Sequence, residues 1–174
     1  HSFGSDYILG EDDNGSLWIG MRQGGLIKRD TNGHINRFYD SKHKEFNQVV
    51  IQIYKTNDGI IWIGTEADGL YYLDPVTQKI SQAYFIANQI FSMREDTFNS
   101  LWVGTLGGGL LRFNKTRDSV THFKTDPMDT ASISSNTILA IHEDTNGILW
   151  LGTGIGLNKF DRKTGKFTHY TERD

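Results

Sequence analysis

Carboxylates stand side by side at Glu11-Asp12-Asp13 and at Glu143-Asp144, and clustered carboxylate oxygens could hold calcium. A calcium site takes about 6–8 oxygens, and the dense alternation of acidic residues found in an EF-hand loop is missing. Asp and Asn next to glycine are turn formers, so turn chemistry is the reading for both clusters. Gly152-Thr153-Gly154-Ile155-Gly156 has the glycine density of a phosphate loop, but such a loop works only at the start of a helix, and no helical pattern follows. Among the histidines, His122 and His169 occupy equivalent places before Phe123 and Tyr170 and are assigned to the outer surface. His142 ends an apolar segment, and its counterparts Gly10, Tyr54 and Arg94 form no metal set with it. No Ser-His-Asp grouping stands out. The tryptophans could stack sugar rings, yet all four recur at one place in a repeated segment, as core residues do.

That repeated segment organises the chain. It reads EDDNGSLWIGMRQGGL from Glu11, KTNDGIIWIGTEADGL from Lys55, EDTFNSLWVGTLGGGL from Glu95 and EDTNGILWLGTGIGL from Glu143. Trp18, Trp62, Trp102 and Trp150 recur at intervals of about 40–48 residues, the period of an array of small β units. Each repeat divides into four short apolar segments separated by turn residues. In the last copy these are Ile138 to Glu143, Ile148 to Thr153, Leu157 to Asp161 and Lys166 to Tyr170. The other first segments lie near Asp6–Glu11, Val49–Lys55 and Gln89–Glu95. Third segments start at Leu26, Leu70 and Leu110, and fourth segments centre on Ile35–Tyr39, Ile80–Phe85 and Val120–Phe123. The Asn146-Gly147 pair is a hairpin signal, and helical periodicity is absent.

Leu17-Trp18 and Leu149-Trp150 put apolar side chains on both faces of a strand. Each sheet is therefore expected to be sandwiched between two others. The fold class is all-β: four four-stranded antiparallel meander sheets that are the blades of a β-propeller. The four repeats cover approximately residues 4–40, 47–86, 87–124 and 136–171 of one propeller domain or fragment. Gly20, Gly64, Gly104 and Gly152 follow the Trp-aliphatic pairs and are read as places where adjacent blades crowd together.

Composition narrows the function. The chain has 174 residues, a net charge of −3, 19 glycines, two prolines and no cysteine. Disulfides and thiolate metal sites are excluded, and no basic patch invites nucleic acid. No apolar run reaches the ~18 residues of a membrane span, so no membrane contact is expected of this segment. The chain opens at His1 rather than at a methionine, as a piece excised from a longer protein would.

These repeats resemble the regulator-propeller repeats of bacterial hybrid two-component sensors. The match lies in Asp58-Gly59, Ile61-Trp62-Ile63-Gly64-Thr65 and Gly69-Leu70. It recurs in Leu101-Trp102-Val103-Gly104-Thr105 with Gly108-Gly109-Leu110. The connection from Asp126-Pro127 to Ser132-Ile133-Ser134-Ser135-Asn136 also looks like the family's inter-blade loop. Met21 replaces the threonine of the first copy, Phe98-Asn99 replaces the usual turn of the third, and the fourth is one residue shorter before Leu157. The resemblance implies a periplasmic, non-enzymatic ligand-sensing fragment whose parent is anchored in the inner membrane. That parent would detect an oligosaccharide and control transcription through a kinase and a regulator that are not in this chain. The alternatives are a propeller enzyme such as a lyase, or a purely structural scaffold.

The turns between second and third strands vary while their flanks stay fixed, and binding residues concentrate on such loops. The ligand-binding candidates are accordingly Arg22, Gln23, Glu66 and Asp68 from these turns, joined by Lys42, His43, Asp126 and Asp129 from the inter-blade connections. Leu106-Gly107 and Gly154-Ile155 are the corresponding turns of the later copies. No catalytic residue, cofactor or metal is expected. Blades built to be sandwiched leave an apolar face at each end of the array, so self-association through the end blades is expected.

Overall fold

The computed structural model describes residues 7–21, 24–38, 48–74 and 77–171. The chain divides into two compact units, residues 1–89 and 90–174. Each unit holds two four-stranded antiparallel sheets, and no helix occurs among the described residues.

The first unit contains blade 1, with strands β1 (Tyr7–Glu11), β2 (Leu17–Met21), β3 (Leu26–Arg29) and β4 (Ile35–Arg37). Blade 2 follows, with β5 (Val50–Lys55), β6 (Ile61–Thr65), β7 (Leu70–Leu73) and β8 (Ile80–Tyr84). The second unit contains blade 3, with β9 (Ile90–Glu95), β10 (Leu101–Thr105), β11 (Leu110–Phe113) and β12 (Val120–Phe123). Blade 4 consists of β13 (Ile138–Glu143), β14 (Leu149–Thr153), β15 (Gly156–Asp161) and β16 (Lys166–Tyr170). Every sheet is a meander in chain order. Each expected segment contains a strand whose described ends agree with the expectation to within one or two residues, and the expected ends at Asp6 and Tyr39 lie outside the described residues.

The turn between first and second strands shows why the repeat has its sequence. The Asp144 Oδ1 accepts the N–H groups of Asn146 (2.9 Å) and Ile148 (2.9 Å), and Gly147 takes a left-handed φ of 75° that closes the hairpin. The other carboxylate oxygen accepts the indole N–H of Trp150 at 2.9 Å. The same clamp joins Trp18 to Asp12 at 3.1 Å and Trp102 to Asp96 at 2.7 Å. In blade 2 the Thr56 hydroxyl takes the carboxylate's place and accepts from Trp62 at 3.0 Å. A tryptophan can thus be buried with its polar atom satisfied.

Within each unit the sheets meet face to face. In the first, Trp18 and Leu26 of blade 1 pack against Val50, Ile53, Ile61, Ile63 and Leu73 of blade 2. In the second, Trp102 and Leu110 of blade 3 pack against Ile138, Leu149, Leu151, Phe160 and Phe167 of blade 4. The crowding read into the glycines is real at both junctions. A Cβ on Gly20 would overlap the Val50 side chain, and one on Gly104 would lie 2.8 Å from Ile138 Cγ2. Val50 and Ile138 stand beside β-bulges in their strands, at Val50/Gln52 and Ile138/Ala140. These bulges admit an extra residue, Ile51 or Leu139, without losing register.

Candidate functional site

The turn from second to third strand is built alike in blades 2 and 3. The Thr65 and Thr105 hydroxyls donate to Gly69 O and Gly109 O, both at 2.7 Å, and pin the loop against its own strand. These turns reach the segments that lead into first strands: Gly25 N–H donates to Gln48 O, Glu66 N–H to Val49 O, Gly109 N–H to Asn136 O and Gly154 N–H to Thr137 O. Variable turns and inter-blade connections therefore share one rim in each unit, as the sequence implies.

The candidate residues divide by what already occupies them. Glu66 is exposed on the rim of the first unit. Asp68 is half-buried and accepts the Tyr71 hydroxyl, while its carbonyl accepts Gln82 Nε2 at 2.8 Å. Burial, then the Asp68 carboxylate beside it, pushes the Tyr71 hydroxyl well above its ordinary pKa. Asp68 therefore orders its own loop. Arg22, Gln23, Lys42 and His43 lie outside the described residues.

Asp126 and Asp129 belong to the second unit and are exposed, but each caps a turn. Asp126 Oδ1 accepts Met128 N–H and Asp129 Oδ1 accepts Ala131 N–H, both at 2.9 Å. This connection is fastened along the outermost strand of blade 4, where Phe167 N–H donates to Ala131 O (2.8 Å) and His169 Nε2 meets Ser132 O (2.6 Å). His122, the counterpart in blade 3, meets Gly108 O at 2.6 Å. Both histidines thus act as surface fasteners, each presenting an Nε2–H to a carbonyl. Among the described residues, no group of three or more His, Asp or Glu side chains is arranged to hold a metal.

A second polar cluster sits at the opposite rim of the second unit, and sequence reasoning missed it. Arg162, in the turn after β15, donates to Asp96 Oδ2 (2.6 Å), Glu143 Oε1 (2.6 Å) and Gly147 O (3.0 Å). Glu143 in turn accepts the Thr97 N–H (2.8 Å) and hydroxyl (2.9 Å). Burial acts to raise the Asp96 carboxyl, but hydrogen bonds from Trp102, Arg162 and Ser100 outweigh it and hold it below its ordinary 3.8. The Arg162 guanidinium lies 5.1 Å above the ring of Phe98, which is 62% exposed. An open hollow of about 890 Å³ adjoins it, lined in part by Asn146, Lys159, Lys163 and Thr168. The available signal was Phe98-Asn99, the one first turn that breaks the repeat, with Asn99 at φ 58° where its sisters carry glycine.

The blades described here are those of a β-propeller. Residues 44–67 and 132–154 match the family model of the two-component regulator propeller. No curated protein sequence matches the chain. Among solved structures, it is similar to the extracellular domain of a hybrid two-component system from B. thetaiotaomicron. That likeness has 25% identity and a TM-score of 0.75, and covers 97% of this chain and 24% of the other. The extracellular domain of a one-component system from the same organism is 24% identical with a TM-score of 0.72, over 93% of this chain and 21% of that one. The chain thus spans about a quarter of the length of these relatives or less. A virginiamycin B lyase from Staphylococcus aureus, solved with quinupristin, is 17% identical with a TM-score of 0.72, over 99% of this chain and 58% of the lyase. At that identity the likeness is one of fold alone.

Proposed function

We propose that these blades form part of the extracytoplasmic sensing region of a hybrid two-component system. In this reading they bind an oligosaccharide and catalyse no reaction on it. The reading rests on the 25% identity, over 97% of the chain, to the extracellular domain of such a system. The location would be periplasmic, with the parent receptor anchored in the inner membrane and the output a change in transcription. Ligand would act by binding one arrangement of the receptor more tightly than another, since equal affinity shifts nothing.

On the first unit the binding surface would use Glu66 with Arg22, Gln23, Lys42 and His43. Asp68 would set the loop rather than touch ligand, because Tyr71 already engages it. Asp126 and Asp129 would contribute from the connection of the second unit. Titration calorimetry of the chain against a panel of plant and host oligosaccharides tests the reading. Saturable binding by one glycan class, weakened by Arg22→Ala and Glu66→Ala at unchanged melting temperature, supports it. Turnover of any panel member, or no binding across the panel, counts against it.

A further inference from the structure

The turns between first and second strands share a plan but not a side chain. Four residues before each tryptophan stand Asn14, Asp58, Phe98 and Asn146. The turn itself asks the same of Phe98 as of its sisters. Its N–H goes to Asp96 Oδ1 at 2.9 Å, as Asn14 N–H goes to Asp12 at 3.0 Å and Asn146 N–H to Asp144 at 2.9 Å. A phenyl group adds nothing to that bond, and 62% of the residue is left in solvent. The ring instead forms one wall of the hollow of about 890 Å³, with Arg162 at 5.1 Å from its centre. The other walls come from the first turn of blade 4 and the turn after β15, so the hollow lies wholly within the second unit. Its volume is that of a small-molecule site, roughly 300–1,000 Å³.

The polar groups around it are unevenly spent. Its carboxylates are committed to the chain. Asp144 accepts three N–H groups, from Asn146, Ile148 and the Trp150 indole. Asp161 accepts the Lys163 N–H at 2.8 Å and the Thr164 hydroxyl at 2.9 Å. The donors are not so committed. Among the described residues, the Lys163 ammonium and the Asn146 amide group make no hydrogen bond. Arg162 spends three of its N–H groups, on Asp96, Glu143 and Gly147 O, and a guanidinium has five. A surplus of donors beside an exposed aromatic ring suits a ligand rich in acceptors and apolar on one face.

We infer that this hollow binds an oxyanion carried on a ring. A carboxylate or sulfate meets Lys163 and Asn146, and the apolar face of the ring lies on Phe98. An acidic sugar and an aromatic acid both have this chemistry. The site is on the opposite rim from Glu66, and it stands whether or not that rim takes an oligosaccharide.

Nuclear magnetic resonance titration of the 174-residue chain tests this with glucuronate and benzoate, each at millimolar concentration beside its neutral counterpart, glucose or benzyl alcohol. At least one oxyanion shifts the Phe98, Asn146 and Lys163 amides saturably, and the neutral counterparts do not. Either ring supports the inference, and the tighter of the two identifies the source. Phe98→Asn restores the residue of the sister turns, keeps the melting temperature, and weakens binding about fivefold. Lys163→Gln weakens it about tenfold. Lys115→Gln, an exposed lysine outside the hollow, leaves it as it was.

Three results would overturn the inference. Silence of these amides towards both oxyanions denies the site. Equal binding of a neutral counterpart denies the oxyanion. Undiminished binding by a folded Phe98→Asn chain removes the ring from the site. If that variant fails to fold, the Lys163→Gln and Lys115→Gln pair still decides, since equal affinity in the two would place the anion elsewhere.

Discussion

The junction of blades 1 and 2 and the junction of blades 3 and 4 are the same apolar joint with different polar fastenings. Position for position, Trp18, Leu26, Val50, Ile61, Ile63 and Leu73 correspond to Trp102, Leu110, Ile138, Leu149, Leu151 and Phe160. The second junction is the more aromatic. Trp102 lies 5.1 Å from Phe160 and 5.8 Å from Phe123, where Trp18 has Phe38 at 5.1 Å. At the polar edge the two diverge. The carboxylate that holds Trp18 is Asp12, and its cation is Lys28 of the same blade at 3.0 Å. The carboxylate that holds Trp102 is Asp96, and its cation is Arg162 of the following blade. Blade 2 reaches back to blade 1 through Lys55 on the exposed Asp13, whereas blade 4 reaches back to blade 3 through Glu143 on Thr97. The charge at that position has changed sign and the joint has kept its geometry. Apolar shape therefore fixes how neighbouring blades seat, and polar groups need only satisfy one another locally.

The largest effect should come from the shared apolar part. Trp102→Ala and Trp18→Ala should each cost about 3–5 kcal/mol in denaturant unfolding, with Trp102 the costlier because of its added ring contacts. Equal or smaller losses than at the half-exposed Trp150 would break the equivalence of the junctions.

The polar fastenings should separate next. Arg162→Ala strands two buried carboxylates, Asp96 and Glu143, and should cost about 3 kcal/mol, near the low end for breaking a buried pair. Lys55→Ala at the more exposed pair should cost about 0.2–1 kcal/mol. Similar losses at both sites would mean that the first junction also depends on its ion pair.

Acid should sharpen the same contrast. The folded Asp96 carboxyl sits below its ordinary 3.8, so its contribution is fully present above that value and is lost as pH falls through the folded pKa. Burial likewise acts to raise Asp12, and Lys28, Ser16, Trp18 and Asn14 together hold it below 3.8. Arg162→Met should flatten the acid limb of the stability profile, because a group that no longer binds Arg162 has less to lose on protonation. An acid limb equally steep in both proteins would place the linked group elsewhere.

The smallest effect belongs to the rim. Glu66→Ala should change stability by no more than about 0.5 kcal/mol, as exposed substitutions do. Asp68→Ala should cost more, because it removes the hydrogen bond that its carboxylate accepts from the Tyr71 hydroxyl.

Much of this was legible in the sequence because it is local. Strands, their order and their turns follow from apolar runs punctuated by Asp, Asn and Gly, and a hairpin is decided by a handful of neighbouring residues. The shared rim of turns and connections was legible for the same reason. What those rim residues are free to do was not. Asp126, Asp129 and Asp68 read as available carboxylates, and folding commits the first two to backbone N–H groups and the third to Tyr71.

The sequence by itself determined four repeats of four strands, a tryptophan at one place in each, and the glycines, of which Gly20 and Gly104 crowd the neighbouring sheet. Those are statements of period and spacing, which a chain carries whether folded or not. Only the tertiary structure decided that Arg162 closes on Asp96 across 66 residues, and that Val50 and Ile138 fill the space over Gly20 and Gly104. It also decided that Trp150, at the same place in its repeat as its sisters, is half-covered where they are buried. Such facts depend on which surfaces meet after folding, and a local pattern of period and spacing does not contain them.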